Sequence, residues 1–485
     1  MKIIIVGGGI AGLSTYLHLR KHLPNPSTHT ITIYESHRPS SRLTSTSQTS
    51  APINTLQHLD LDTFSSSTAL VGGGLGISPN GMRVLRDLDP ELHHRVVAQG
   101  FPAEQFVFKG ANGWTLGVQS TSDKAFRSVG EEEEVCIASS RHGLWETIMR
   151  FVEGKNNDGE SVVKHAQVVG VERDGRRGLS VRTRDAEGME EVDEADLVIG
   201  ADGVKSVWPS LRLTALMPSM LMLFSGQSGV GGFLNAPIPP FIADNKAMVF
   251  AFGGNGFFGY SSGGPLAAKQ LMWWSTFETD SLPDTKSIDP QAIKTALLER
   301  HKQWKDPIVQ DIVQKANVES IYPTWTLPTL PHWGERGIVL VGDAAHAMDP
   351  TTGQGASQAL EDSQTFALLL AGLLERADEQ VDEAIKLFHE IRAPRINAIV
   401  ERGKKLAGRK ANIGVVAEYF IYSFLWLLMK FPSIGKFVLG DVNRELYCWS
   451  PKDEVRKALV ERKNEGDSEV QGKGRQVARD YLKTR

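Results

Sequence analysis

Residues 2–12 read KIIIVGGGIAG, and the fold turns on that stretch. Within Lys2–Val6, Ile3–Val6 is a short, β-branched, fully apolar run, the pattern of a strand buried on both faces. Gly7, Gly9 and Gly12 then form a GxGxxG, and a helical pattern runs from about Ile10 to Leu23. In such a turn the first glycine permits a tight bend, the second lets the backbone approach a pyrophosphate, and the third lets helix pack on strand. The helix N-terminus supplies free N–H groups and partial positive charge to the phosphates. Residues 30–34 (TITIY) read as a second strand ending at Glu35. An acid at about that interval can accept hydrogen bonds from both hydroxyls of a ribose. A strand–helix–strand opening predicts a parallel sheet and an α/β fold.

Two later segments have the same character. Asp196–Gly203 is an apolar strand that delivers Asp202 and Gly203 to its C-terminal end, the edge where open α/β sheets bind ligands. By itself this segment reads equally well as an Asp-Gly turn. A third strand, Ile338–Val341, runs into Gly342-Asp343-Ala344-Ala345-His346, and Asp343 at its end is placed to bond a polyol. Pro350 follows, then Gly353-Gln354-Gly355-Ala356 at the start of a helix expected from about Gly355 to Glu375. The exposed amides and dipole of that helix start favour negative charge nearby.

The bulk numbers exclude several classes. A chain of 485 residues suggests about three domains. Its 41% hydrophobic and 23% charged content is that of a soluble globular protein, and a net charge of −4 gives no basic field for nucleic acid. The acidic run Glu131–Glu134 reads as a solvated turn. Cys136 and Cys448 form no CxxC pair, so neither a disulfide framework nor a metal site is indicated. That cysteine usage fits a reducing, cytoplasmic compartment. The apolar run at the N-terminus is too short for a signal peptide.

The three segments, in this order and spacing, resemble the class A FAD-dependent monooxygenases, the family of para-hydroxybenzoate hydroxylase and salicylate hydroxylase, and are most similar to its fungal secondary-metabolite members. The resemblance spans roughly residues 1–375. It extends to Gly72–Gly76 with Ser78-Pro79-Asn80-Gly81, similar to the family's GAGIxLxPNG, and to Arg141-His-Gly-Leu144, similar to its R-x-x-L. It implies a discontinuous Rossmann-like FAD-binding domain (1–75, 135–212 and 320–375), a β-sheet substrate domain (76–134 and 213–319), a C-terminal helical region (376–449) and a charged tail (450–485). It also implies non-covalent FAD, with NADPH or NADH and dioxygen as co-substrates. Oxygen transfer through a C4a-hydroperoxyflavin would hydroxylate an aromatic or polycyclic apolar small molecule. Epoxidation, Baeyer–Villiger insertion and a non-oxygenating regulatory flavoprotein are the alternatives.

By the same resemblance Gly7, Gly9, Gly12, Gly73, Gly74 and Gly203 shape the FAD cradle. Glu35 holds the adenosine ribose, Arg141 the FAD midsection and Asp343 the ribityl chain. Asp202 lies near the pyrophosphate, and Gly355 and Ala356 offer amides to the flavin ring. Pro350 lines the flavin face, and His346 packs or hydrogen-bonds behind the ring. This chain has Trp208-Pro209 where the family's DGxxSxxR ends in its arginine; the next arginine is Arg212. Relatives also carry a tyrosine where this chain reads Phe224-Ser225-Gly226. The catalytic residues are therefore open, with Arg212, Tyr260 and Pro350 as candidates.

The Ser/Thr-rich residues 37–68 read as a long connection, and Val163–Asp193 reads as hairpin material turning at Asp174-Gly175. Residues 247–280 suggest a second, mainly β region whose Phe257, Phe258, Tyr260, Trp273 and Trp274 either wall a pocket or pack a core. Residues 413–431, apolar apart from Glu418 and Lys430, read as a buried cap over the substrate domain, with membrane contact as the second reading.

Overall fold

Ile3, Ile4 and Ile5 are all fully buried, so the first strand is covered on both faces as its β-branched run requires. The computed structural model describes residues 1–37, 73–128, 130–155, 161–174, 178–204, 222–279, 281–283, 289–318, 321–374, 381–407, 414–439, 441–462 and 464. Most of the Ser/Thr-rich connection, Gly175, Trp208 and Arg212 lie outside these residues.

The first strand is central in a six-stranded sheet. In order the strands are Gly334–Glu335, Ile338–Leu340, Leu197–Gly200, Lys2–Val6, Thr30–Tyr34 and Val163–Lys164. Every neighbouring pair is parallel except the first. Strands distant in sequence thus lie side by side. Helix α1 (Ile10–His22) follows the first strand, and its buried side carries Leu13, Leu17 and Leu19. The expected hairpin material is a three-stranded antiparallel meander, Gln167–Asp174, Gly178–Arg184 and Glu190–Ala195.

A seven-stranded sheet forms the second layer. Its order is Tyr322–Thr326, Leu223–Asn235, Gln270–Glu278, Gly256–Ser262, Ala247–Gly253, Gln105–Gly110 and Thr115–Ser120. One face packs a separate core with Leu297, Val309 and Ile312 of the helices Pro290–His301 and Pro307–Lys315. Asp289 and Asp306 start those helices by accepting from backbone N–H groups two or three residues on.

The C-terminal part is helical. Helix α2 (Gly355–Leu374) packs against α1, and α3 (Val381–Ala407) packs against α2. Helix α4 (Val415–Lys430) lies on the Thr115–Ser120 strand, and α5 (Pro432–Leu439) follows it. The buried-cap reading of 413–431 needs correction: in α4 only Tyr422 and Leu428 are buried, and one whole side is bare. Among the described residues no helix is long and apolar enough to cross a membrane. Residues 451–462 are helical, with Leu459 set against Gly372 and Arg462 paired to Glu383 at 3.0 Å.

Buried histidines make the fold acid-sensitive. Burial lowers His18, His22 and His301, the latter two to about 4. In the unfolded chain each takes a proton below about pH 6.5; in the fold each stays neutral until well below that. The stability they contribute is therefore complete above pH 6.5 and is lost as pH falls toward 4. Fully buried His301 alone should account for about 2 kcal/mol by about pH 5. Urea midpoints at about pH 7.5 and about pH 5 measure this. A His301→Gln variant with the same acid loss as wild type would remove His301 from the account.

Candidate active site

Register assembles the site. Val6 is paired with Tyr34 on one side and Gly200 on the other, and Gly200 is paired with Leu340. The carboxyl ends of four strands therefore coincide. They bring Gly7, Glu35, Asp202 and Asp343 to one edge of the sheet. The turn admits no side chains: Gly7 has φ +105°, and a Cβ on it would lie 2.4 Å from the Ala201 carbonyl oxygen. A Cβ on Gly12 would lie 2.0 Å from the Gly7 oxygen, so α1 packs onto the strand only with glycine there. Gly9 caps α1 without a side-chain hydrogen bond, which leaves the first N–H groups of the helix to a ligand.

One cavity of about 1780 Å³ runs from this edge to the second sheet. Gly7, Gly9, Glu35, Gly73, Gly74, Arg141, Asp202, Gly203, Asp343, Pro350, Gly355 and Ala356 all border it. Gly12 sits behind it, in the strand–helix contact. At the far end the wall is aromatic. Phe106 and Phe108 alternate along one strand and Phe250 and Phe252 along its neighbour, with Phe108 and Phe250 rings 5.7 Å apart. Phe257 and Trp274 continue the wall, and Ile421, Leu425, Leu428 and Met429 of α4 close it.

The sequence profile of the FAD binding domain family matches residues 59–403. The chain belongs to that family. It is a class A FAD-dependent monooxygenase of the hydroxylase and epoxidase kind. This monooxygenase is 27% identical over 335 residues to the aurachin C monooxygenase/isomerase of Stigmatella aurantiaca, covering 68% of this chain and 77% of that one. It is 25% identical over 338 residues to the 3-amino-4-hydroxybenzoate 2-monooxygenase of Streptomyces cremeus, covering 70% and 77%. Among solved structures it is similar to Klebsiella pneumoniae HpxO complexed with FAD and uric acid. The TM-score is 0.68 at 16% identity, covering 92% of this chain and 96% of HpxO, which supports the Rossmann-like fold.

The residues at the monooxygenase's sheet edge suit FAD. Burial acts to raise the Glu35 carboxyl, but hydrogen bonds from His37 and the Gly8 N–H (2.7 Å) hold it below the usual carboxylate range. It borders the cavity as an anion able to accept ribose hydroxyls. Arg141 and Asp343 are exposed to the cavity. At Gly203, Gly353 and Gly355 an added Cβ would enter open space, so the backbone there stands bare to a ligand.

The loop that begins α2 is held from behind. Gln354 is buried and donates from Nε2 to Ser78 Oγ at 2.9 Å, while Ser357 Oγ accepts the Ser78 N–H at 3.0 Å. The Ser78-Pro79-Asn80-Gly81 segment thus fixes where Gly355 and Ala356 stand. Beneath lies a buried ionic cluster. Arg392 of α3 donates to Asp362 at 2.8 Å, to Glu361 at 2.5 Å and to Gln358 at 2.7 Å. Asp362 in turn accepts the Gly342 N–H at 2.9 Å and pairs with His346 at 2.6 Å. Burial acts to raise Glu361 and Asp362, and their cationic partners override it, holding both below the usual range.

Of the catalytic candidates, Tyr260 is placed elsewhere and Arg212 is undescribed, while His346 packs and hydrogen-bonds behind the cavity. Tyr260 does not reach the cavity: its strand turns Phe258 and Tyr260 toward the helices, where the Tyr260 hydroxyl donates to Asp306 at 2.7 Å. Side chains alternate across a strand, so Phe257 faces the cavity and Tyr260 cannot. His346 is buried against Trp333 and Asp362, away from the cavity. Arg212 lies outside the described residues. The sequence reading did not single out Phe106, Phe108, Phe250 or Phe252, although the alternations QFVFKG and VFAFGG carried the signal.

Proposed function

We propose that this monooxygenase uses NADPH or NADH and dioxygen to place one oxygen atom on an aromatic or polycyclic apolar small molecule. One observation carries the reading: the dinucleotide edge and the aromatic wall share one cavity. Two relatives are named for acting on aurachin C and on 3-amino-4-hydroxybenzoate, and the second is an aromatic acid. A wall of Phe106, Phe108, Phe250, Phe252, Phe257 and Trp274 accommodates ring substrates by offset and edge-to-face contact.

FAD, held without a covalent link, supplies electron transfer from the nicotinamide to dioxygen. The chain's residues bind and orient. Gly7, Gly9 and the start of α1 receive the pyrophosphate, with Asp202 and Gly203 beside it. Glu35 receives the ribose, Arg141 the midsection and Asp343 the ribityl chain. Gly73 and Gly74 border the same cavity, and the bare Cα of Gly74 admits Met272 beside it. Gly355 and Ala356 direct amides and the α2 dipole at the ring, where negative charge builds on reduction. Pro350 opens a short 3-10 turn capped by Asp349, which accepts the Thr351 N–H at 2.8 Å. It has no N–H to donate and a fixed φ, so it offers a rigid apolar surface that excludes stray donors. Cys136 borders the cavity, but burial pushes its thiol up to about 12, so it stays protonated.

Mass spectrometry of product formed under heavy-isotope dioxygen tests the proposal. One labelled atom per product molecule is expected, with substrate accelerating nicotinamide oxidation. Label drawn only from heavy water, or hydrogen peroxide formed in full yield with every true substrate, would end the oxygen-transfer reading.

A further inference from the structure

Helix α4 is apolar on both sides, and a helix of that kind is covered on both sides in its working state. Its inner side is accounted for: Ile421, Leu425 and Leu428 wall the cavity. Its outer side is not. Val416, Phe420 and Leu427 fall on one stripe at spacings of four and seven, all exposed, and Phe431 and Phe437 extend that apolar surface onto α5. Trp426 adds to it, and on the adjoining hairpin Trp114 meets Tyr419 edge-on at 5.5 Å. Among the described residues nothing packs over this face. Contiguous exposed surface of this size and composition marks a docking site.

We propose that the outer face of α4 and α5 lies in the plane of an anionic lipid bilayer and binds the protein to its surface. Three observations choose this occupant. First, α4 has 16 residues and is roughly 24 Å long, short of the ~30 Å hydrocarbon core, so it can lie on a bilayer but not cross it. Second, the charge is one-sided. The only acid of α4, Glu418, turns inward to the Tyr422 hydroxyl, while Lys430 ends the helix in solvent. In sequence, residues 402–417 carry Lys404, Lys405, Arg409 and Lys410 and no acid, Lys404 being paired with Glu401 at 2.7 Å. Basic residues flanking an apolar helix face are drawn to anionic headgroups, whereas the cores of protein–protein interfaces are poor in lysine. Third, tryptophan and tyrosine lie among the exposed residues, and their amphipathic rings favour the headgroup level. The helix that meets lipid is also the wall of the cavity, so an apolar substrate dissolved in the bilayer would arrive beside its site. That last consequence rests on the proposed substrate class; the binding itself does not.

The test is flotation of the full-length FAD-loaded protein with vesicles of phosphatidylcholine alone or with phosphatidylserine, without substrate. Wild type should float with the phosphatidylserine vesicles and detach as salt rises. The combined variant Val416→Ser, Phe420→Ser and Phe437→Ser changes side chains that are 86%, 73% and 91% exposed and do not line the cavity. It should keep its FAD, while its vesicle affinity falls at least roughly tenfold. Wild type that stays with neither vesicle overturns the proposal, as does a variant that floats like wild type. Reversible self-association abolished by the three substitutions, without flotation, would assign the face to a second copy of the chain and overturn it too. Because no substrate enters the assay, failure here leaves the oxygen-transfer reading standing, and failure of that reading leaves this one testable.

Discussion

Replacing Arg392 by methionine is expected to cost about 3–5 kcal/mol of folding stability, a large share of the roughly 5–15 kcal/mol that holds a typical fold. Arg392 is fully buried, and its guanidinium is the contact shared by Asp362 and Glu361. Methionine fills the space of the aliphatic stem and leaves the charge uncompensated. Glu361 would keep Arg395, which grips it at 2.8 Å through two nitrogens. Among the described residues Asp362 would keep only His346 and the Gly342 N–H. The tryptophan ring of Trp449, 4.7 Å from the Arg392 guanidinium and 4.5 Å from that of Arg395, would lose one of its two cations. The cluster also positions the site, because Asp362 anchors the turn that carries Asp343. The variant should therefore be purified with less FAD as well as unfold at lower urea. Paired urea titrations of wild type and Arg392→Met, with and without added FAD, measure both effects. A loss under about 1 kcal/mol would show that Asp362 protonates or hydrates at little cost and that the cluster does not hold the turn.

The second large effect is expected on binding with little change in folding. Asp343→Ala should weaken FAD affinity roughly 10- to 150-fold, the loss of one hydrogen bond from a charged group. Its carboxylate is exposed at the cavity and, among the described residues, makes no contact that the sheet or α2 depends on; the Gly342 turn is held instead by Asp362. An exposed side chain of that kind usually changes stability by less than about 0.5 kcal/mol. Fluorescence titration of FAD into the apoprotein, beside its thermal unfolding, separates the two quantities. Unchanged affinity would take Asp343 out of the site. An equal loss of apoprotein stability would make it a structural residue. The contrast with Arg392 is the point of running both: one variant should move stability and cofactor together, the other cofactor alone.

Much of the cofactor edge was legible because its signals are local. A turn that tolerates no Cβ must be glycine, and Gly7 and Gly12 meet backbone oxygen at 2.4 and 2.0 Å. A strand stretch buried on both faces must be apolar throughout, and IIIV (3–6) and LVIG (197–200) are. The C-terminal ends of parallel strands then lie together, so the sequence alone groups Glu35, Asp202 and Asp343. The far end of the cavity was less legible. Alternation told that Phe257 and Tyr260 face opposite ways, but not which face is covered by the helices Pro290–His301 and Pro307–Lys315. The carboxylates of Glu361 and Asp362 read in sequence as the polar side of a helix. They are buried because α3 brings Arg392 and Arg395 across to meet them.

By itself the sequence determined the α/β class, the phosphate-binding turn and the residues that gather at the sheet edge, since each follows from backbone geometry within a few residues. Only the tertiary structure decided that Tyr260 belongs to a core, that Arg392 holds the turn bearing Asp343, and that α4 walls the cavity with one side and leaves the other bare. The reason is that burial and pairing are properties of which surfaces meet. A run such as VVAEYFIYSFLWLLMK has the same hydrophobicity on each of its faces, and only the packing of distant strands against one of them tells the two apart.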